Sequence, residues 1–370
     1  MRAGDEPVDV GAQFMKKSFR SGEGDRLTDP AGRNPQIDTM RGLACVLLVL
    51  FHLIGSSPDS GLKVDFPHGL RVLNASLIDI RMPLFAFIAG YVYALRPATP
   101  DSWTAFVAGK ARRLLVPGLV GITVYLVVSN LAGTSMGYPL ADSWKAYVYG
   151  YAHFWFLKSI FVLLVLYSVY DILTQRRFAI PALGLAFAAA LMVSSRGRDV
   201  FGLLGAAQLA PHFVLGVIAC REFPSARLTR GTAFLVLAVF IGAIATLKLR
   251  EFGQYGVIST DRTSVSALIL GQAACLVAFL ALPRIGPLIW LAPFTFTIYI
   301  YHAMTVTAFR QFLQSLGVES FAIHIPLTLA VGLMVPVAMH MICARQNLLR
   351  RWVLGLRPRT GLPSAKAAGI

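Results

Sequence analysis

Charge is what this sequence lacks most. Only 14% of its 370 residues are Asp, Glu, Lys or Arg, against 56% hydrophobic. A soluble domain carries roughly a quarter charged residues, so the chain cannot cover a water-facing surface, and lipid or other apolar helices must face most of its side chains. Mean hydropathy is +0.64. Carboxylates are the scarcer sign, 18 Asp and Glu against 34 Lys and Arg, for a net charge of +16. Every carboxylate falls in a tail, a loop or the end of an apolar run, so none is expected deep in a membrane. Cysteine is equally sparse. Cys45, Cys220, Cys275 and Cys343 lie far apart, form no CxxC pair and have no histidine at ligand spacing. They read as small buried hydrophobes, and no metal site is expected. No basic helix stands clear of the apolar runs, so the positive charge reflects membrane topology and no nucleic-acid partner is expected.

What is abundant is long apolar sequence. Segments at 40–57, 77–95, 114–132, 155–173, 178–194, 202–220, 232–247, 264–283, 287–309 and 321–343 read as membrane-crossing helices. The fold class is therefore all-α, a polytopic bundle of about ten transmembrane helices, with 178–194 and 232–247 the shortest. Residues 1–36 are polar, glycine-rich and charged, and read as a disordered tail. No short apolar core with a small-residue cleavage site precedes the first span, so no removable signal peptide is expected. With both tails cytoplasmic, 22 of the 34 Lys and Arg fall inside and nine outside, the bias that sets orientation in membranes. The expected location is the inner, cytoplasmic membrane. The domain organisation reads as a tail over 1–36, a membrane domain over 37–343, and a basic tail over 344–370. That last tail, RQNLLRRWVLGLRPR, alternates basic and apolar residues and is expected to lie along the lipid headgroups.

Chemistry is suggested by the first span, IDTMRGLACVLLVLFHLIG. Arg41 and His52 are eleven steps apart, which at 100° per residue returns to within about 20° of one helix face and separates them by about 16 Å. Arg41 stands at the cytoplasmic mouth, with His52 expected well inside the membrane. A cationic fork for phosphates at one end and an imidazole at the other suits a long, phosphate-headed donor. The plainer reading is a headgroup anchor and a packed histidine. Arg81, His153, Trp155 and His302 are further candidates, for substrate binding, since polar groups in membrane spans are functional by default. Lys158 and Trp155 also fit an aromatic belt with a snorkelling cation. His212, after Pro211, reads as a residue steadying a kink, and His68, His324 and His340 are unassigned. Gly133-Thr134-Ser135-Met136-Gly137 spells the GxSxG of a nucleophile elbow, but that motif needs a strand–turn–helix setting and here follows a membrane helix.

Arg41-Gly42, then His52 after ten intervening residues, with Asp38 upstream, resembles the opening helix of the membrane acyltransferase-3 family. RMPLFAFIAGYVYAL, KARRLLVPGLV, HFWFLKSIF and FTIYIYHAMTV are similar to later landmarks of that family, in order, over residues 37–306. The Arg–ten–His element is the specific one; the others are individually weak. The resemblance implies transfer of an acyl group, commonly acetyl, from cytoplasmic acyl-CoA to a hydroxyl of a glycan or glycoside. It implies no bound cofactor, acyl-CoA being the donor substrate, and makes Arg41 and His52 the critical pair. The partners it implies are acyl-CoA, the acceptor, membrane lipid and glycan-synthesis machinery. Candidate acceptors include O-antigen, exopolysaccharide, lipochito-oligosaccharide, periplasmic glucan and secreted glycosides; succinyl stays open beside acetyl. The alternative is a transporter or flippase for a glycan-type substrate, against which stand the missing intramembrane carboxylates and the lack of a visible repeat.

Overall fold

A computed structural model describes residues 34–133, 137–193, 197–224, 226–318 and 320–358. Ten apolar helical segments run through it: α1 Pro35–Ile54, α2 Gly69–Leu95, α3 Pro100–Leu131, α4 Trp155–Leu173, α5 Ala179–Met192, α6 Leu203–Glu222, α7 Arg230–Tyr255, α8 Val265–Ala281, α9 Gly286–Ser315 and α10 Phe321–Cys343. Eight are long and apolar enough to span a membrane; α5 and α8 are shorter. Among the described residues there is no β-strand, only an isolated bridge between Tyr149 and Val200. The protein is a multi-pass helical membrane protein, as its composition requires. A basic helix, α11 Asn347–Trp352, follows the last span with Leu348 and Trp352 exposed beside Arg350 and Arg351.

The helices alternate direction, and the connections sort onto two faces. On one face Gln36 Nε2 donates to Ala278 O (2.9 Å) and Leu282 O (2.7 Å), tying the start of α1 to the end of α8. Arg221 holds Asp171 in a two-pronged ion pair of 2.8 and 2.7 Å, and Tyr93 Oη donates to the same carboxylate at 2.8 Å. On the other face Asp199 accepts from Leu204 N at 2.9 Å and starts α6, while Gly150 N donates to Asp199 O. Arg71 and Asn74 donate to Gly55 O at 3.0 and 2.8 Å. Those last two bonds satisfy a carbonyl that the end of α1 leaves without an intrahelical partner.

Between the faces, α2 and α6 pack closest. A Cβ at Gly90 would collide with the Phe213 backbone, and one at Gly216 with the Phe87 backbone. Small residues at such a crossing let helix backbones touch where lipid offers no hydrophobic drive to associate. By contrast α7 lies at the rim, with only 11% of its apolar window buried.

Several expectations shift. α1 starts and ends earlier than 40–57, so His52 sits in its last turn. Asn34 caps this helix, its side chain accepting from Gln36 N, which brings residues 34–36 into structure; residues 1–33 lie outside the described ones. The segment expected over 232–247 is the 26-residue α7, because Lys248 and Glu251 continue the helix as an ion pair. Arg310, expected in a loop, is buried within α9. Asp79 is a buried carboxylate within the α2 segment, made tolerable by Lys248 Nζ at 3.1 Å. Of the GxSxG stretch, residues 134–136 lie outside the described ones. All four cysteines are free and buried.

Candidate functional site

Three histidines distant in sequence meet beneath one face. His52 comes from the last turn of α1, His153 from the turn before α4, and His302 from the middle of α9. Ring centroids are 4.9 Å apart for His52 and His302, 4.9 Å for His153 and His302, and 5.9 Å for His52 and His153. His153 and His302 are buried, and His52 is partly exposed. Among the described residues no group of His, Cys, Asp or Glu is arranged to hold a metal ion.

Backbone carbonyls set the tautomers of the two buried rings, because a carbonyl can only accept. His302 Nδ1–H donates to Ile298 O and Tyr299 O, both at 2.9 Å. His153 Nε2–H donates to Ile300 O at 3.0 Å. Each ring therefore keeps one basic nitrogen, His302 Nε2 and His153 Nδ1, buried without a partner among the described residues. The Tyr299 hydroxyl donates to the His153 carbonyl, which fixes the turn that presents this ring. Tyr125 and Phe154 meet the His153 ring at 5.7 and 4.1 Å. Among the described residues His52 makes no hydrogen bond, so its ring is held by packing alone, against Phe51 at 5.1 Å.

Arg81, on α2, joins the cluster. Its guanidinium carbon lies 3.1 Å from the Phe51 ring centroid. Arg81 is 3% exposed, and its Nε and Nη1 have no partner among the described residues. A buried guanidinium with unmet donors is costly, which marks a place where an electronegative atom belongs. Arg41 stands at the other end of α1, partly exposed and paired with Asp38 at 3.3 Å. Nearby, Arg227 Nη1 donates to Gln36 Oε1 at 2.6 Å. Burial and the neighbouring Arg284 hold the Arg227 guanidinium below its usual pKa.

The remaining candidates separate. Trp155 does not join the histidines; its ring faces Arg262, 5.6 Å from guanidinium carbon to centroid. Lys158 does not snorkel. It is buried and donates to the carbonyls of Tyr147 (3.2 Å) and Tyr149, closing the short helix Lys145–Val148. His212 is buried in α6 next to Pro211, with Nδ1 unpartnered. His340 pairs with Thr297 Oγ1 at 2.7 Å, and His68 Nδ1 accepts from Leu70 N at 3.2 Å. Three arginines escaped notice in the sequence. Arg227, Arg284 and Arg262 counted there only as loop charge, and nothing local to them signals a site.

A polytopic helical membrane protein with a buried imidazole cluster and cations at both ends of its first helix is a setting for proton transfer on a polar substrate. A family model described as an acyltransferase domain matches residues 34–341, and the chain belongs to the membrane acyltransferase-3 family. It is an acyltransferase, moving groups other than aminoacyl groups. No curated protein and no solved structure matches it.

Proposed function

We propose that the protein transfers an acyl group, acetyl by default, from cytoplasmic acyl-CoA to a hydroxyl of a glycan or glycoside, with His52 as general base. The observation that carries this reading is the meeting of His52, His153 and His302 beside the unpaired Arg81. Of the three rings, His52 alone is partly exposed, so it is the one a hydroxyl can reach. Neutral imidazole takes the proton from the acceptor hydroxyl. The freed oxygen attacks the thioester carbonyl carbon, a C–O bond forms, and negative charge develops on the carbonyl oxygen. Arg81 donates to that oxygen from its unmet N–H groups, as an oxyanion hole does. The C–S bond then breaks, and the CoA sulfur leaves with the proton that His52 gives back. His153 and His302, each with a basic nitrogen turned away from its carbonyl bond, bind and orient the reacting groups.

Arg41 binds the donor phosphates at the far end of α1, about 16 Å away by helix rise, aided by the positive field of Arg227 and Arg284. Both termini are cytoplasmic in this reading, in the inner membrane, as the basic bias requires. The acceptor is one of the surface or exported glycans that the resemblance implies, supplied by glycan-synthesis machinery. Membrane vesicles holding the protein and a glycan acceptor test the reading when given labelled acetyl-CoA. Label in the glycan and stoichiometric free CoA are expected; release of CoA without glycan label would overturn the acceptor assignment.

A further inference from the structure

The loop between α7 and α8 is exposed over most of its length, with Ile258 buried. It folds back so that Arg262 covers the Trp155 ring, and burial holds the Arg262 guanidinium below its usual pKa against the opposing pull of Asp79. Among the described residues Arg262 forms no ion pair. Together with Asp79, Gln208 and His212 the two residues line one cleft. Two polar atoms there are buried without partners among the described residues, Asp79 Oδ1 and His212 Nδ1, on residues 4% and 3% exposed. Lys248 holds only the other Asp79 oxygen. Unmet buried polar atoms are costly, so a cleft that keeps two of them is suited to a polar occupant.

The cleft adjoins the histidine cluster. Trp155 follows His153 by two residues, Asp79 precedes Arg81 by two, and the Arg262 charge reaches both Arg81 and His52. It lies towards the face opposite Arg41. We infer that this cleft binds the acceptor, a neutral polyhydroxylated ring, and that Arg262 stands on the Trp155 indole in the place of that ring. The inference rests on the acceptor half of the reading above.

The chemistry discriminates among ligands. Hydroxyls both donate and accept, and the cleft offers both partners: guanidinium and amide donors, with carboxylate, amide and imidazole acceptors. The indole supplies an apolar plane for the C–H face of a sugar. An acyl chain would leave Asp79 Oδ1 and His212 Nδ1 unmet. When a ring enters, the Arg262 guanidinium moves off the indole and leaves the Asp79 oxygen to a ring hydroxyl.

The test uses membranes of the source organism, with its own glycan and the full-length protein as the only copy, given labelled acetyl-CoA. Arg262→Ala and Gln208→Ala are expected to lower glycan labelling at least tenfold without changing the acetyl-CoA concentration for half-maximal rate. Arg262→Lys, which keeps the charge, should fall between. Gln208 is partly exposed and makes no hydrogen bond among the described residues, so its variant reads the site even if Arg262→Ala lowers the melting point in detergent. Labelling within twofold of wild type in Gln208→Ala and Arg262→Ala overturns the site, as does a raised half-maximal acetyl-CoA concentration. An unlabelled glycan with the wild-type protein overturns the functional reading itself, and this site with it.

Discussion

The Arg81 guanidinium lies over the Phe51 ring, 3.1 Å from guanidinium carbon to ring centroid, and Phe51 is the residue before His52. The contact joins α1 to α2 at the level of the histidines and, in the proposed mechanism, holds a positive charge where the thioester oxygen becomes anionic. An aromatic face stabilises a cation without occupying its N–H groups, so Arg81 is neutralised in part while its donors stay free. The Phe51–Arg81 pair thus positions the cation and His52 together.

In the proposed mechanism His52 is the residue on which the chemistry depends most. His52→Gln keeps bulk and some hydrogen bonding but cannot accept a proton. Acyl transfer is expected to fall by about a hundred- to ten-thousand-fold, with membrane accumulation and acyl-CoA binding unchanged. More than about a tenth of wild-type turnover would shift the base to His302. Because the base acts neutral, the wild-type rate should fall as acid converts the imidazole to imidazolium, and a rate–pH profile that rises on acidification would contradict the assignment.

Arg81→Lys keeps one positive charge but loses the planar guanidinium. Loss of an oxyanion donor costs about a hundred- to a thousand-fold in turnover. The expected kinetic signature is a fall in kcat at little-changed half-saturating acyl-CoA. A change confined to acyl-CoA affinity would place Arg81 on the donor instead.

Arg41→Lys tests the opposite end of α1. A lysine loses the two-pronged geometry that phosphates favour; Asp38 now meets Arg41 Nη1 at 3.3 Å. Weaker acyl-CoA binding with normal insertion is expected, measured as a raised half-saturating concentration. An unchanged value would leave Arg41 as a headgroup anchor.

Orientation can be read with single cysteines, because the four native thiols are buried. Ala141→Cys should react with an impermeant maleimide added outside intact cells, and Ser102→Cys should react only after permeabilisation. Both positions are exposed and lie on opposite faces of the bundle. The reverse pattern would place Arg41 outside, away from cytoplasmic acyl-CoA.

The Asp171–Arg221 pair is expected to carry stability rather than chemistry. Asp171→Ala strands a mostly buried guanidinium and the Tyr93 hydroxyl. Breaking a buried pair from one side costs about 3–5 kcal/mol, and the low end applies here because the Arg221 side chain is 16% exposed. Unfolding in mixed micelles should show the loss, and an unchanged midpoint would mean that water already screens the pair.

Composition and run length determined the membrane class and the ten helical segments, because a bilayer rewards apolar length wherever it occurs in a chain. Local helix geometry likewise placed Arg41 and His52 on one face of α1, since both belong to one element. The ends of elements were harder to read. α1 ends at Ile54 because Arg71 and Asn74, in the next segment, satisfy a carbonyl at its terminus. α7 runs on because Lys248 finds Asp79, 169 residues away. Only the tertiary structure brought His153 and His302 to His52, seated Arg81 on Phe51, and drew Arg262 from its loop onto Trp155. These are contacts between segments far apart in the chain, and no local periodicity encodes them. Which helix faces meet is decided by packing, here by the close crossing of α2 and α6 at Gly90 and Gly216.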